Sequence, residues 1–237
     1  TQGSVTATVE APGIDLRHAR IVWEARDQQP AFGSTFTYSP TNNGDQWVEL
    51  EIEWPDGRRA FATGDYQANS PDQVWIDDAL PSGSATTTDG GDTWNWVSSN
   101  PAPHTGSLAF QSSSESGEHD VTFTGAADPM VVQSGDTLFA WIYLDPANPP
   151  SEVMLCWNDG SSWEHRAYWG ANQIQWGTNG TPGCYDAGPL PAAGGWVELS
   201  VPASAVNLAG DSVNGMTFAL YGGHATWDTI GRSNSGN

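Results

Sequence analysis

The sequence predicts an all-β protein built as two β-sandwiches in series, a small one followed by a larger one. Three observations carry that expectation. Apolar residues alternate with polar ones over many short stretches, the period of a half-buried strand. Turn formers are abundant, with 27 Gly and 16 Pro in 237 residues, as strands joined by tight turns require. A hydrophobic content of 38% with 13 Trp is enough to pack cores in a chain of this length, which allows one large or two small domains.

The first unit spans residues 1–67. Val5, Ala7 and Val9 alternate, then Ile21, Trp23 and Ala25, then Phe36 and Tyr38. In QWVELEIEW, Val48, Leu50, Ile52 and Trp54 point one way and Glu49, Glu51 and Glu53 the other. That pattern fits a half-buried strand, and the glutamate row reads as its solvated face. Pro55-Asp56-Gly57-Arg58 follows as a turn into the partner strand RRAFATGDY. Arg58 and Arg59 are placed to offset the glutamates across that hairpin. Several short strands with a Trp on an early one describe a small immunoglobulin-like sandwich. The segment also resembles the immunoglobulin-like repeats of bacterial surface and secreted enzymes, without the Cys pair of antibody domains.

Gln67-Ala68-Asn69-Ser70-Pro71 reads as a polar connector. The second unit, residues 72–232, offers strand patterns at 74–76, 107–110, 119–123, 138–144, 153–157, 163–169, 196–201 and 216–221. Residues 202–206 read as a single helical turn. So many antiparallel strands predict a two-sheet jelly-roll β-sandwich.

The motifs of this unit run VWIDDALPSGS, GDTWNWVSSNPAPHTG, GDTLFAWIYLDPANPPSEVMLCWNDGSSWEHRAYWG, GGWVELSVPAS and VNGMTFALYGGHATWD. On these, residues 74–232 resemble a galactose-binding-like jelly-roll module, of the carbohydrate-binding type found in large exported bacterial proteins. The resemblance implies a β-sandwich often held by a structural Ca²⁺ and used in some members to bind sugars. The compared segments usually lack cysteines, so Cys156 and Cys184 are a local addition.

Four groups of site residues follow. Trp94 and Trp96, two apart in DTWNWV, face one way in an extended segment and suit stacking on pyranose rings or filling the core. Trp163, His165, Ala167 and Trp169 alternate with Glu164, Arg166 and Tyr168; the first set reads as core and the second as a polar face open to sugar hydroxyls. Asp77 and Asp78 end the first strand and Asp228 lies near the last; with Asp92 they form a candidate Ca²⁺ shell, the alternative being turn capping. Cys156 and Cys184, the only cysteines, are expected to form a disulfide that staples the tryptophan-rich hairpin; the alternative is two buried free thiols.

Charge and motifs exclude other classes. The chain carries 28 acidic and 7 basic residues, all Arg, for a net charge of −21. Such a surface repels nucleic acid and anionic membranes, and no apolar run reaches the length of a membrane span. The chain opens without an apolar signal core and reads as a mature or excised piece of a longer exported protein, secreted or cell-surface, with other domains as partners. No Gly-x-Ser-x-Gly, His-Glu-x-x-His, phosphate loop or Cys-x-x-Cys occurs, and the 5 His lack metal-ligand spacing. The expected function is therefore non-catalytic binding of a polysaccharide or glycan. A structural or adhesive segment is the alternative, and a polysaccharide lyase or hydrolase the third reading.

Overall fold

The computed structural model describes residues 4–41, 44–68 and 72–234. The chain is all-β and divides into two compact units, residues 1–71 and 72–235.

The first unit holds β1 (Val5–Thr8), β2 (Arg20–Ala25), β3 (Ala31–Phe32), β4 (Thr35–Tyr38), β5 (Gly44–Glu53) and β6 (Arg59–Ala68). A two-stranded β1-β4 sheet accompanies a four-stranded sheet in the order β3-β2-β5-β6. Trp23, Ala25, Phe36, Tyr38, Leu50 and Ile52 form the core, so the alternation along β5 is used as the pattern requires. Two glutamates on the other face, Glu51 and Glu53, pair with Arg59, at 3.3 and 3.1 Å. Arg58 instead turns back to Asp56 within the hairpin turn, at 2.7 Å. Strand β6 continues through Gln67 and Ala68, so these two belong to the sheet rather than to the connector. Pairing with Gly44 and Asp45 at the start of the long partner strand extends it. Asn69, Ser70 and Pro71 lie outside the described residues.

The second unit begins with β7 (Gln73–Ile76), β8 (Ala85–Asp89), β9 (Asn95–Val97), β10 (Ala109–Gln111), β11 (Glu115–Thr124) and β12 (Met130–Val131). It continues with β13 (Thr137–Leu144), β14 (Glu152–Asn158), β15 (Arg166–Gly170), β16 (Tyr185–Asp186) and β17 (Trp196–Pro202). A 3-10 turn at Ala203–Val206 follows, where one helical turn is expected, and then β18 (Ser212–Val213), β19 (Gly215–Gly223) and β20 (Ala225–Ser233).

Two six-stranded sheets make the sandwich. The front sheet runs β17-β13-β20-β10-β9, with β7 also paired to β20; the back sheet runs β16-β15-β14-β19-β11-β8. Alternate residues of both sheets meet between them. Trp157, Trp227, Phe123 and Phe218 are fully buried there with Leu138, Ile142 and Leu155. The first strand of the unit, β7, lies beside the last, β20, the neighbourhood expected of a closed sandwich. A bulge in β20 opposite Ala140 and Trp141 leaves Thr229 unpaired in the ladder, with a φ of +46°. That conformation is costly for a β-branched residue, and bulges of this kind re-aim side chains.

The strand expected at 163–169 starts only at Arg166. Asp159 holds the preceding turn: its Oδ1 accepts from the backbone N–H groups of Ser161 and Ser162. It also places Oδ2 3.3 Å from the buried His165 ring, whose Nδ1 lies 2.8 Å from the Val206 carbonyl. The sequence pattern also passed over β8, β9 and the whole of β20.

Candidate functional site

The residues proposed from sequence reach places the one-dimensional pattern does not decide. Trp94 and Trp96 do face one way, and that way is inward. Their rings pack on Phe110 at 5.0 and 4.9 Å, and Trp94 also on Phe218 at 5.9 Å. Both are half-buried and pack against the edge of the main core.

Glu164, Arg166 and Tyr168 divide: Glu164 stays exposed at the rim, while segment 171–188 lies over Arg166 and Tyr168 on the outer side of the back sheet. Tyr168 is 3% exposed, and its hydroxyl donates to Asn179 Oδ1 at 3.1 Å. The Arg166 guanidinium donates to the Gly183 carbonyl and to Glu164 Oε1, each at 2.9 Å. Glu152 is fully buried beneath the same segment, accepting from the backbone N–H groups of Gln173 and Ile174. A second apolar cluster results, of Met154, Cys156, Tyr168, Ile174, Cys184 and Ala219, with Trp163, Trp176 and Tyr221 packed against it.

The two cysteines belong to this cluster as free, buried thiols, and the expected disulfide is not made. The ladder gives the reason. Cys156 sits opposite Arg166 of β15, and Cys184 directly precedes β16, which pairs with the other edge of β15. One strand lies between them, and two strand spacings, roughly 9–10 Å, exceed the about 7 Å that a disulfide spans between Cα atoms. Burial holds both thiols above their ordinary pKa, which keeps them protonated and unreactive.

The aspartates split. Asp92 is buried with His119, Oδ2 to Nδ1 2.5 Å, and accepts from the Ser113 N–H and hydroxyl. Asp77, Asp78 and Asp228 do share a neighbourhood, but they hold the loop 98–108. Asp228 Oδ2 accepts from the His104 and Thr105 N–H groups at 2.7 and 3.1 Å. Asp78 Oδ1 accepts from those of Ser107 and Leu108, both at 2.7 Å, and Asp77 Oδ1 accepts from the Thr105 hydroxyl. Gly106 lies so close that a Cβ there would meet Asp78 Oδ1 at 2.5 Å, at a φ of +59°. Donors from the loop are aimed at these carboxylates, the anchoring role that aspartates at turns commonly take. Among the described residues, no three His, Cys, Asp or Glu side chains are grouped to hold a metal ion. Burial raises the pKa of Asp228, with the charge of Asp77 adding, against the three N–H donors. Asp78 is held below its ordinary range by the Ser107 and Leu108 N–H groups.

What these aspartates anchor defines a site the sequence reading did not select. Along β13, Leu138, Ala140, Ile142 and Leu144 enter the core. Phe139, Trp141 and Tyr143 therefore form a row on the outer face of the front sheet. Trp196 of β17, opposite Tyr143 in register, extends the row, its ring centroid 5.9 Å from that of Tyr143. Loop 98–108 crosses this face. The His104 ring lies flat on Trp141, centroids 3.8 Å apart and planes 14° from parallel, and the Trp196 Nε1–H donates to the Ala102 carbonyl at 2.9 Å. The bulge in β20 brings Thr229 to the same loop, 2.6 Å from the Thr105 hydroxyl.

On one side of the loop lies a pocket of about 450 Å³ lined by Asn100, Pro101, Tyr143, Asp145, Pro146, His224 and Thr226. Asp145 Oδ2 is 3.2 Å from His224 Nδ1. The Ala147 N–H and then His224 hold the Asp145 carboxyl below the ordinary range, against burial, so it is an anionic acceptor at neutral pH. On the other side is a cavity of about 360 Å³ that includes Phe139, Trp141, Glu198 and Thr229. The alternation of Phe139, Trp141 and Tyr143 was the available signal for this face. Nothing local announces that His104, Trp196 and His224 join it.

No protein-family model and no curated protein matches the chain. Among solved structures, similarity is found to a carbohydrate-binding module studied for the promiscuous specificity of modules from the β-sandwich superfamily. The identity is 14%, over 90% of this chain and 84% of that one, with a TM-score of 0.43. A family 11 carbohydrate-binding module from Clostridium thermocellum, in complex with a β-1,3-1,4-mixed-linked tetrasaccharide, shows 11% identity over 69% of this chain and 96% of its own, TM-score 0.40. The K3 cleaved adhesin domain of Lys-gingipain from Porphyromonas gingivalis shows 16% identity over 70% of this chain and 99% of its own, TM-score 0.43. None of these likenesses assigns a residue or a ligand to the present chain.

Proposed function

We propose that the second unit is a non-catalytic glycan-binding module of an exported protein, and that the first unit is an immunoglobulin-like spacer. The observation that carries this reading is the pocket beside Tyr143. It joins one aromatic residue to Asn100, the Asp145 carboxylate and the His224 ring. A pyranose presents the complement, flat C–H faces edged by hydroxyls, and a concave site with a few convergent polar groups is the usual form of a small-ligand pocket. The acidic balance of the chain favours neutral sugars over polyuronates. Asp145 is the only carboxylate in the pocket lining, whereas glycoside hydrolysis uses a pair, which supports binding without turnover.

Titration calorimetry with neutral gluco-, xylo-, manno- and galacto-oligosaccharides tests the proposal. Saturable binding without release of reducing ends is expected. Absence of binding to every series, or turnover of any, overturns it.

A further inference from the structure

We infer that His104 sets the length of glycan the module accepts, so that it recognises chain ends and short oligosaccharides rather than the interior of long chains. This rests on the glycan-binding reading of the Tyr143 pocket. The outer face of the front sheet carries a row of aromatic residues at every second position of β13, and it is not open along its length. Loop 98–108 lies across it at Trp141, where a continuous cleft would hold its middle sugar. The His104 ring takes that place, stacked flat on the indole at 3.8 Å, the arrangement a pyranose would otherwise adopt. One face therefore becomes two separate cavities, of about 450 and 360 Å³.

The divider is held firmly. Its backbone N–H groups at Thr105, Ser107 and Leu108 are bonded to Asp228 and Asp78. These bonds come from the backbone, so they survive a change of the residue 104 side chain. The Tyr143 pocket is walled by Asn100 and Pro101 of the divider on one side and by Asp145 and Pro146 on another.

The test compares wild type, His104→Ala and His104→Phe by calorimetry over a ladder from monosaccharide to hexasaccharide, using the series found to bind. In wild type, affinity stops rising by the disaccharide. His104→Ala joins the two cavities, and its affinity continues to rise toward the hexasaccharide by roughly tenfold, the scale of one added aromatic contact with its buried area. His104→Phe retains a flat ring on Trp141 and restores the early plateau. A second measurement uses wild type alone: shortening a polysaccharide of the same series at constant mass increases the sites bound in proportion to chain ends. Affinity that climbs equally with length in wild type and His104→Ala overturns the inference and leaves the glycan-binding reading standing. No binding by any of the three proteins overturns both.

Discussion

The two outer faces of the second unit start from similar material and end in opposite uses. The back face carries Tyr168, Tyr221, Met154 and Cys156, with Trp163 and Trp176 nearby; the front face carries Phe139, Trp141, Tyr143 and Trp196. On the back, a long return segment supplies Ile174 and Cys184, and its backbone donates to the buried Glu152 carboxylate. The face is sealed and becomes a second core. On the front, a short loop crosses once at His104 and is tied down at its own backbone, leaving cavities on both sides. Aromatic content alone does not mark a binding face. What decides is how much chain is laid over it, and whether that chain brings several apolar side chains to its underside or a single ring, His104.

The sharpest way to break this contrast is to remove the cover's anchor. Ile174 is fully buried under the back-face segment, so Ile174→Ala should cost about 2–5 kcal/mol in urea unfolding and leave glycan affinity unchanged. A loss below about 1 kcal/mol would mean the segment is loosely laid and the back face is not a core. Tyr143→Ala should behave oppositely. Glycan affinity should fall at least about tenfold, near 1.4 kcal/mol, with stability changed by less than that. Equal loss in both measurements would make Tyr143 a packing residue.

The next test uses pH. Asp120, on the outer side of the back sheet, is 8% exposed. Burial, with the charges of Asp89, Glu118 and Asp92 adding and the Thr122 hydroxyl opposing, raises its pKa to about 6 from 3.8. Between those values the folded protein holds a proton that the unfolded chain has released. This contribution to stability is therefore fully present below about 4 and lost as pH rises through about 6. Asp120→Asn should flatten the stability profile across that window, and an unchanged slope would show Asp120 to be solvated. Glu164, two-thirds exposed in its pair with Arg166, is a rim group: Glu164→Ala should shift stability by no more than about 0.5 kcal/mol. The smallest effects are expected to be none. Reductant and EDTA should each leave the melting temperature in place, and the denatured, unreduced protein should label at both Cys156 and Cys184. A melting shift in EDTA would revive the Ca²⁺ shell, and failure to label would revive the disulfide.

Apolar patterning in the chain by itself determined the all-β class, β5 with its glutamate face, and the strands β13, β14, β17 and β19. β5 and β17 repeat every second residue because one side is buried, and β13, β14 and β19 read as apolar runs because most of their residues are buried. Patterning could not determine β20, where Thr226, Asp228, Thr229 and Arg232 are buried beside Trp227 and Ile230. That strand is central and bulged, and its polar groups are satisfied by partners far away in sequence, such as the N–H groups of His104 and Thr105. The same limit governs the site. Period two places Trp94 and Trp96 on one side, and Arg166 and Tyr168 on another, but whether a side faces solvent, a second sheet or a returning loop is set by pairing order. The order β14-β15-β16 put a strand between the cysteines, and the neighbouring of β7 and β20 gave Asp77, Asp78 and Asp228 a loop to hold. Spacing along the chain fixes which residues share a face; only long-range strand pairing fixes what that face meets.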